Sequence, residues 1–139
     1  MTTHLVSTTF NEGMAFTADI SGHKIVMDTT ADDGGNNSGA SPKRLMLASL
    51  AGCTGMDVVS ILNKMKVAYS DFSIIVHAAL TNEHPKIYNY VKIIYKIKVA
   101  EADKPKMVKA VSLSQEKYCG VSAMFRTFAK LDTEIDFLG

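Results

Sequence analysis

The residues of this sequence best suited to chemistry are its two cysteines, Cys53 and Cys119. A cysteine thiol that loses its proton is a nucleophile, can be oxidised, and can form a disulfide with a second thiol. The pair therefore predicts redox chemistry if the fold brings both sulfur atoms together. The alternative is that free cysteines are often buried and inert. Cys53 lies in an apolar run of residues, where burial would raise its pKa. Cys119 is expected near a helix start, which favours the thiolate.

Other kinds of site have weaker support. The sequence has four histidines, His4, His23, His77 and His84. They show no paired spacing with each other or with the cysteines, and zinc sites need about four such ligands, so no metal site is predicted. A hydrolase in which His23 or His77 acts as the base for a cysteine remains open. No glycine-rich phosphate-binding loop is present, and no organic cofactor is expected.

Composition predicts one folded domain, residues 1–139. Of the residues, 47% are hydrophobic and 21% charged, which is enough apolar surface for a core without disulfides. The formal net charge of +1 gives no electrostatic reason to expect nucleic acid or an anionic membrane as the main partner. The N-terminal residues lack the basic start and following apolar run of a signal peptide. We therefore expect a cytoplasmic protein whose thiols are reduced.

The periodicity of apolar residues predicts an α+β domain with a largely antiparallel sheet. Strands are predicted at His4–Phe10, Met14–Ile20, His23–Asp28, Asp71–Leu80, Ile87–Val99 and Leu131–Phe137. A mobile loop is expected over residues 29–40, where Gly, Asn and Asp bury almost nothing. Ser41-Pro42 starts a helix that continues to Lys66 and is apolar on nearly all sides as far as Leu62.

That apolar helix is long enough to raise the question of a membrane span. It contains Asp57 and lies between strand-like segments, so we expect a central helix enclosed by protein instead. Two further helices are predicted, one from Asp103 with Met107, Val108 and Val111 facing inward, and one after Ser114. The second should carry Val121, Met124, Phe125 and Phe128 on one face.

Three segments resemble the OsmC/Ohr family of osmotically inducible and organic hydroperoxide resistance proteins. Residues 41–59, SPKRLMLASLAGCTGMDVV, resemble the central cysteine helix of that family, and residues 114–119, SQEKYC, resemble its second-cysteine motif. Residues 21–28, SGHKIVMD, resemble the YhfA-type branch in particular. The resemblance extends over essentially the whole chain and has the element order predicted above.

The resemblance implies an intertwined homodimer, whose antiparallel sheets wrap around paired central helices and whose active sites lie at the subunit interface. Members of the family reduce organic hydroperoxides. Cys53 would then be the peroxidatic thiol that becomes a sulfenic acid, and Cys119 the resolving thiol that forms a disulfide with it. A small dithiol would restore both thiols, in oxidative-stress defence.

Two departures from the family pattern favour an alternative. Lys43 stands where the peroxidases of the family have a glutamate. Those peroxidases also have an arginine in the N-terminal region, whereas residues 1–41 of this chain contain none. Without a cationic partner in an apolar pocket, the pKa of a thiol rises. The alternative is a non-enzymatic OsmC-like homodimer that binds an apolar or electrophilic small molecule at the subunit interface.

Overall fold

The computed structural model describes residues 1–139 and contains six strands and three α-helices. They are β1 (Ser7–Phe10), β2 (Phe16–Ile20), β3 (His23–Met27), α1 (Pro42–Lys64), β4 (Tyr69–Leu80), β5 (Tyr88–Val99), α2 (Lys104–Leu113), α3 (Gly120–Phe125) and β6 (Lys130–Phe137). The predicted order of elements and the α+β class are confirmed. The chain forms two compact units, residues 1–46 and 47–139, with the boundary in the first turns of α1. Assignment of the whole chain to one domain stays a prediction.

The first unit contains an antiparallel sheet in the order β1-β2-β3. The turn between β2 and β3 consists of Ser21 and Gly22, with φ values of 53° and 87°. Two successive left-handed residues match the twist of flanking strands, which is why such turns are common in tight hairpins. The turn therefore fixes the register in which Ile20 pairs with His23.

The segment of residues 29–40, predicted as a mobile loop that buries little, is instead organised around a buried carboxylate. Asp28 is 3% exposed and accepts hydrogen bonds from the backbone N–H groups of Thr29, Asn36 and Ser38 and from the Ser38 hydroxyl. A Cβ on Gly35 would lie 2.2 Å from the Thr29 carbonyl oxygen, so only glycine fits there. The prediction that the segment buries little is confirmed, since only Gly35 of residues 29–40 is buried. Composition did not reveal that one acidic side chain satisfies the loop's backbone donors.

Acid is expected to loosen this Asp28 loop. Its hydrogen bonds favour the charged carboxylate and lower the pKa of Asp28 from 3.8 to about 2. Because the folded pKa is below the unfolded one, the stabilisation is complete above about pH 4 and is lost as pH falls towards 2. Hydrogen-exchange protection factors at Asn36 and Ser38 should fall over that range, and Asp28→Asn should lower them at neutral pH. The control Asp33→Asn, in the same loop, should leave the protection factors of Asn36 and Ser38 unchanged. Equal protection in the wild-type protein and in both variants would contradict this account.

The second unit has a sheet in the order β4-β5-β6, and its core lies against β5. The odd-numbered residues Val91, Ile93, Tyr95 and Ile97 are fully buried, as the alternation in β5 predicted. β4 and β5 are antiparallel, whereas β6 runs parallel to β5, with Tyr90 opposite Lys130. A parallel neighbour requires a long crossover. Here that connection contains α2 and α3.

Helix α1 is buried on one stripe only, contrary to the prediction that protein encloses it. Four of its residues, spaced four apart, are buried: Leu50, Thr54, Val58 and Leu62. Met46 and Met56 on other faces are 44% and 76% exposed. By length and hydropathy this helix could cross a membrane, but core helices of other proteins pass the same test. Within a single chain, much apolar surface of α1 is left uncovered.

The crossover between β5 and β6 follows the predicted pattern in part. In α2, Met107 and Val111 are buried as predicted, but Val108 is 51% exposed. In α3, Phe125 is buried, whereas Met124 is 60% exposed. One π turn, Ser114–Tyr118, joins the two helices. Such turns are frequent at functional sites, and this one places the second cysteine directly after it.

Candidate thiol site

The structure brings the two predicted site residues together. Cys53 lies in the middle of α1, and Cys119 lies between the π turn and α3. Their sulfur atoms and a carboxylate oxygen of Asp57 all lie within 4.8 Å of one another. Asp57 follows Cys53 by one helical turn and so shares its face of α1. We name these three residues the thiol–carboxylate cluster; neither cysteine is in a disulfide.

Backbone hydrogen bonds fix the position of Cys119, which is 4% exposed. Its N–H donates to the Ser114 carbonyl oxygen at 2.7 Å, and its Sγ accepts from the Ser122 N–H at 3.3 Å. The predicted position at a helix start is thus observed, although α3 has only six residues. Both contacts are to groups of the crossover, so the conformation of that connection determines where this sulfur lies.

The surroundings of Cys53 favour its neutral thiol. Burial raises the pKa of Cys53 above its ordinary value, and the neighbouring Cys119 and Asp57 raise it further. The Val121 N–H donates a hydrogen bond to the sulfur and partly opposes this rise. None of these groups is a cation. Cys53 therefore carries its proton at neutral pH, and reaction at its sulfur requires a group that removes that proton.

A buried hydrogen-bond network extends from the cluster into the core. The Ser114 hydroxyl donates to Asp57 Oδ2 at 2.9 Å and shares a 2.7 Å hydrogen bond with Thr54 Oγ1. Thr54 shares another 2.7 Å hydrogen bond with the Tyr95 hydroxyl. Gln115 Nε2 donates to both Thr54 and Tyr95, at 3.2 and 3.0 Å. Thr54, Tyr95 and Ser114 have no exposed surface. We name Thr54, Tyr95, Ser114 and Gln115 the hydroxyl network.

Arg126 holds the far end of the hydroxyl network. Its guanidinium donates to the backbone oxygen of Gln115 at 2.8 Å and to Gln115 Oε1 at 2.7 Å. The second bond determines which end of the Gln115 amide faces Arg126 and which faces Tyr95. Sequence analysis assigned none of these supporting residues a role in the site. Only Asp57 had a readable signal, because its spacing of four from Cys53 places it on the same helix face.

The thiol–carboxylate cluster also has donor atoms of the kinds that bind zinc. Catalytic zinc sites have three protein ligands and an open fourth position, and thiolates and carboxylates are common among them. Cys53, Asp57 and Cys119 offer three such atoms within 4.8 Å. The prediction of no metal site used only spacing along the chain, and it stays a prediction.

An open apolar groove of about 610 Å³ lies on the uncovered face of α1. It is lined by Gly52, Gly55, Met56, Val59, Ser60, Asn63 and Phe72. A Cβ added at Gly52 would meet nothing within 4 Å. The groove therefore has room for an apolar group from outside the chain.

The sequence and the fold of this chain are similar to those of known proteins. The family described as OsmC-like protein matches residues 34–134. Protein YhfA of Escherichia coli strain K12 is 31% identical over 114 residues, which are 81% of this chain and 82% of YhfA. A hypothetical protein from Aquifex aeolicus VF5, of known structure, is 29% identical with a TM-score of 0.85, covering 99% of this chain and 98% of its own.

An organic hydroperoxide resistance protein OsmC from Legionella pneumophila is 15% identical. It has a TM-score of 0.68 over 98% of both chains, so the fold is shared. The family match covers most of the chain, and YhfA matches it at 31% identity over four-fifths of its length. This chain therefore belongs to the OsmC-like family, and within it to the YhfA-type branch.

Proposed function

We propose that the protein reduces organic hydroperoxides, with Cys53 as the peroxidatic thiol and Cys119 as the resolving thiol. The observation that carries this proposal is the thiol–carboxylate cluster, in which distant parts of the chain place two free thiols and a carboxylate within 4.8 Å. The description of a structural neighbour from Legionella pneumophila as an organic hydroperoxide resistance protein and predicted redox protein supports a redox role.

The proposed reaction has three steps. The Cys53 sulfur attacks a peroxide oxygen, so that an S–O bond forms, the O–O bond breaks, and an alcohol leaves. The Cys119 sulfur then attacks the sulfenic acid, which releases water and forms a disulfide; side-chain rotation must first bring the sulfurs to bonding distance. A small dithiol reduces that disulfide by exchange. Such reductants are maintained in the cytoplasm, where we propose that the protein acts.

Thiol titration tests this proposal. Fully reduced protein should lose two thiols per chain on addition of cumene hydroperoxide, and dihydrolipoamide should restore both and support repeated turnover. A full thiol titre after excess hydroperoxide would contradict the proposal. Together with a rise in thermal stability on adding an apolar ligand, that result would favour the non-enzymatic alternative, with the α1 groove as its binding site.

We also propose that a second copy of the chain covers the open face of α1, as the family resemblance implies. Met56 is 76% exposed beside the groove. Met56→Lys should convert a dimer to a monomer in analytical ultracentrifugation, because burying an unpaired ammonium group costs several kcal/mol. Met124→Lys, the same change at an exposed methionine outside the groove, is the matched control. Equal dimerisation of both variants would place the interface elsewhere.

A further inference from the structure

The hydrogen bonds from Tyr95 to Asp57 can be arranged in only one direction. An ionised carboxylate only accepts, so the single Ser114 proton goes to Asp57. Ser114 must then accept the proton of Thr54. Thr54 in turn must accept from the Tyr95 hydroxyl, because its own proton is used and Gln115 Nε2 only donates to these two hydroxyls.

All these donors therefore point towards Asp57. Arg126 continues the sequence at the far end, since its guanidinium donates to Gln115, whose amide donates to Tyr95 and Thr54. Aligned hydrogen bonds of this kind polarise one another and strengthen the last of them, the bond to Asp57. Only one hydrogen bond of the network ends on Asp57, so its carboxylate keeps lone pairs for a proton from elsewhere.

Cys53 is a source of a proton within reach of Asp57. Its sulfur and a carboxylate oxygen of Asp57 lie within 4.8 Å, a distance that proton transfer crosses directly after a small rotation or through one water molecule. Asp57 is the only carboxylate of the cluster, and His77, considered as a base from the sequence, is exposed on β4. Reduction of a hydroperoxide needs a proton-transferring group twice, because the thiol must lose a proton and the departing alkoxide must gain one.

We infer that Asp57 is the proton carrier of the thiol site: it accepts the Cys53 proton as the sulfur attacks and delivers it to the leaving alkoxide. The sulfur electron pair forms the S–O bond, the O–O electron pair leaves with the alkoxide, and Asp57 ends the step ionised as it began. In this chain the carboxylate makes Cys53 reactive without a cationic neighbour. The inference deepens the proposed function and rests on it for the identity of the peroxide substrate.

The test compares electrophiles that differ in their leaving groups. Iodoacetamide releases iodide, which needs no proton, whereas the epoxide glycidol and cumene hydroperoxide both produce an alkoxide, which does. Asp57→Asn removes both the carrier and a negative charge that raises the pKa of Cys53. Alkylation by iodoacetamide loses only the proton acceptor and should slow least, while reaction with glycidol and with hydroperoxide also loses the proton donor and should slow roughly a hundredfold. Peptide mass spectrometry measures each rate at Cys53.

The variants are chosen so that the result decides. Asparagine still offers an oxygen to Ser114, so Asp57→Asn should fold, and Asp57→Glu should restore part of both alkoxide-forming rates. If Asp57→Asn speeds all three reactions, Asp57 acts only through its charge and the inference is wrong. Equal slowing of all three reactions would also overturn it, because it would show that Asp57 gives no proton to the departing alkoxide. If Cys53 of the wild-type protein does not react with the hydroperoxide, the proposed function fails. The comparison of glycidol with iodoacetamide then still decides the role of Asp57.

Discussion

Replacing Cys53 with serine is expected to abolish hydroperoxide turnover, lowering it on the order of a thousandfold or more. A serine hydroxyl fits the same position in α1 but neither ionises usefully nor forms a stable bond to a peroxide oxygen. The variant should keep its one remaining thiol in excess cumene hydroperoxide, because Cys119 is buried.

Cys119→Ser is the matched control for that experiment. It should still lose its single thiol, at Cys53, but should stop after one oxidation because no second sulfur displaces water from the sulfenic acid. Trapping by dimedone, followed by mass spectrometry, should locate the adduct at Cys53. Unchanged turnover in Cys53→Ser would reject the proposed mechanism, and a dimedone adduct on Cys119 in that variant would exchange the two roles.

Thr54→Val is expected to lower the free energy of unfolding by about 3 kcal/mol, since it removes three hydrogen bonds from a fully buried position. Thr54 has no exposed surface and makes hydrogen bonds to Tyr95, Ser114 and Gln115. Valine has nearly the same shape but cannot accept from Tyr95 or donate to Ser114. The loss therefore comes from hydrogen bonding and not from a cavity.

Urea denaturation at one fixed protein concentration measures this loss. Thr54→Ser is the control, because it keeps the hydroxyl and removes only a methyl group, at about 1 kcal/mol. If the valine variant loses no more than the serine variant, the hydroxyl network contributes nothing measurable to stability.

The sequence predicted the elements of this fold better than it predicted what surrounds them. Alternation in β5 placed Tyr95 correctly on the buried face, but its hydroxyl bonds to residues of α1 and of the crossover, which no local pattern connects. The hydropathy of α1 predicted a fully enclosed helix, whereas a single chain buries one stripe of it. Hydropathy reflects all the partners that a helix meets, including partners outside its own chain.

The candidate site was predictable to a similar extent. Cys53 and Cys119 could be named from residue type and family resemblance, and Cys119 was correctly expected at a helix start. Ser114 was visible only as part of a motif, because its role depends on a π turn that faces it towards Asp57. The hydrogen bonds of the Asp28 loop were not predictable for a similar reason: the carboxylate of Asp28, which precedes the loop, accepts them, and composition does not show it.

The crossover between β5 and β6 has a further consequence for how oxidation and folding are linked. Cys53 lies in α1 and Cys119 lies in this crossover, with the rest of α1, β4, β5 and α2 between them, so a disulfide between the two would close a long loop in the unfolded state. Loss of loop entropy there is worth between about 3 and 4.7 kcal/mol for loops of intermediate length. The oxidised protein would then resist unfolding more than the reduced protein, and the reductant that completes each catalytic cycle would also return the chain to its less stable form.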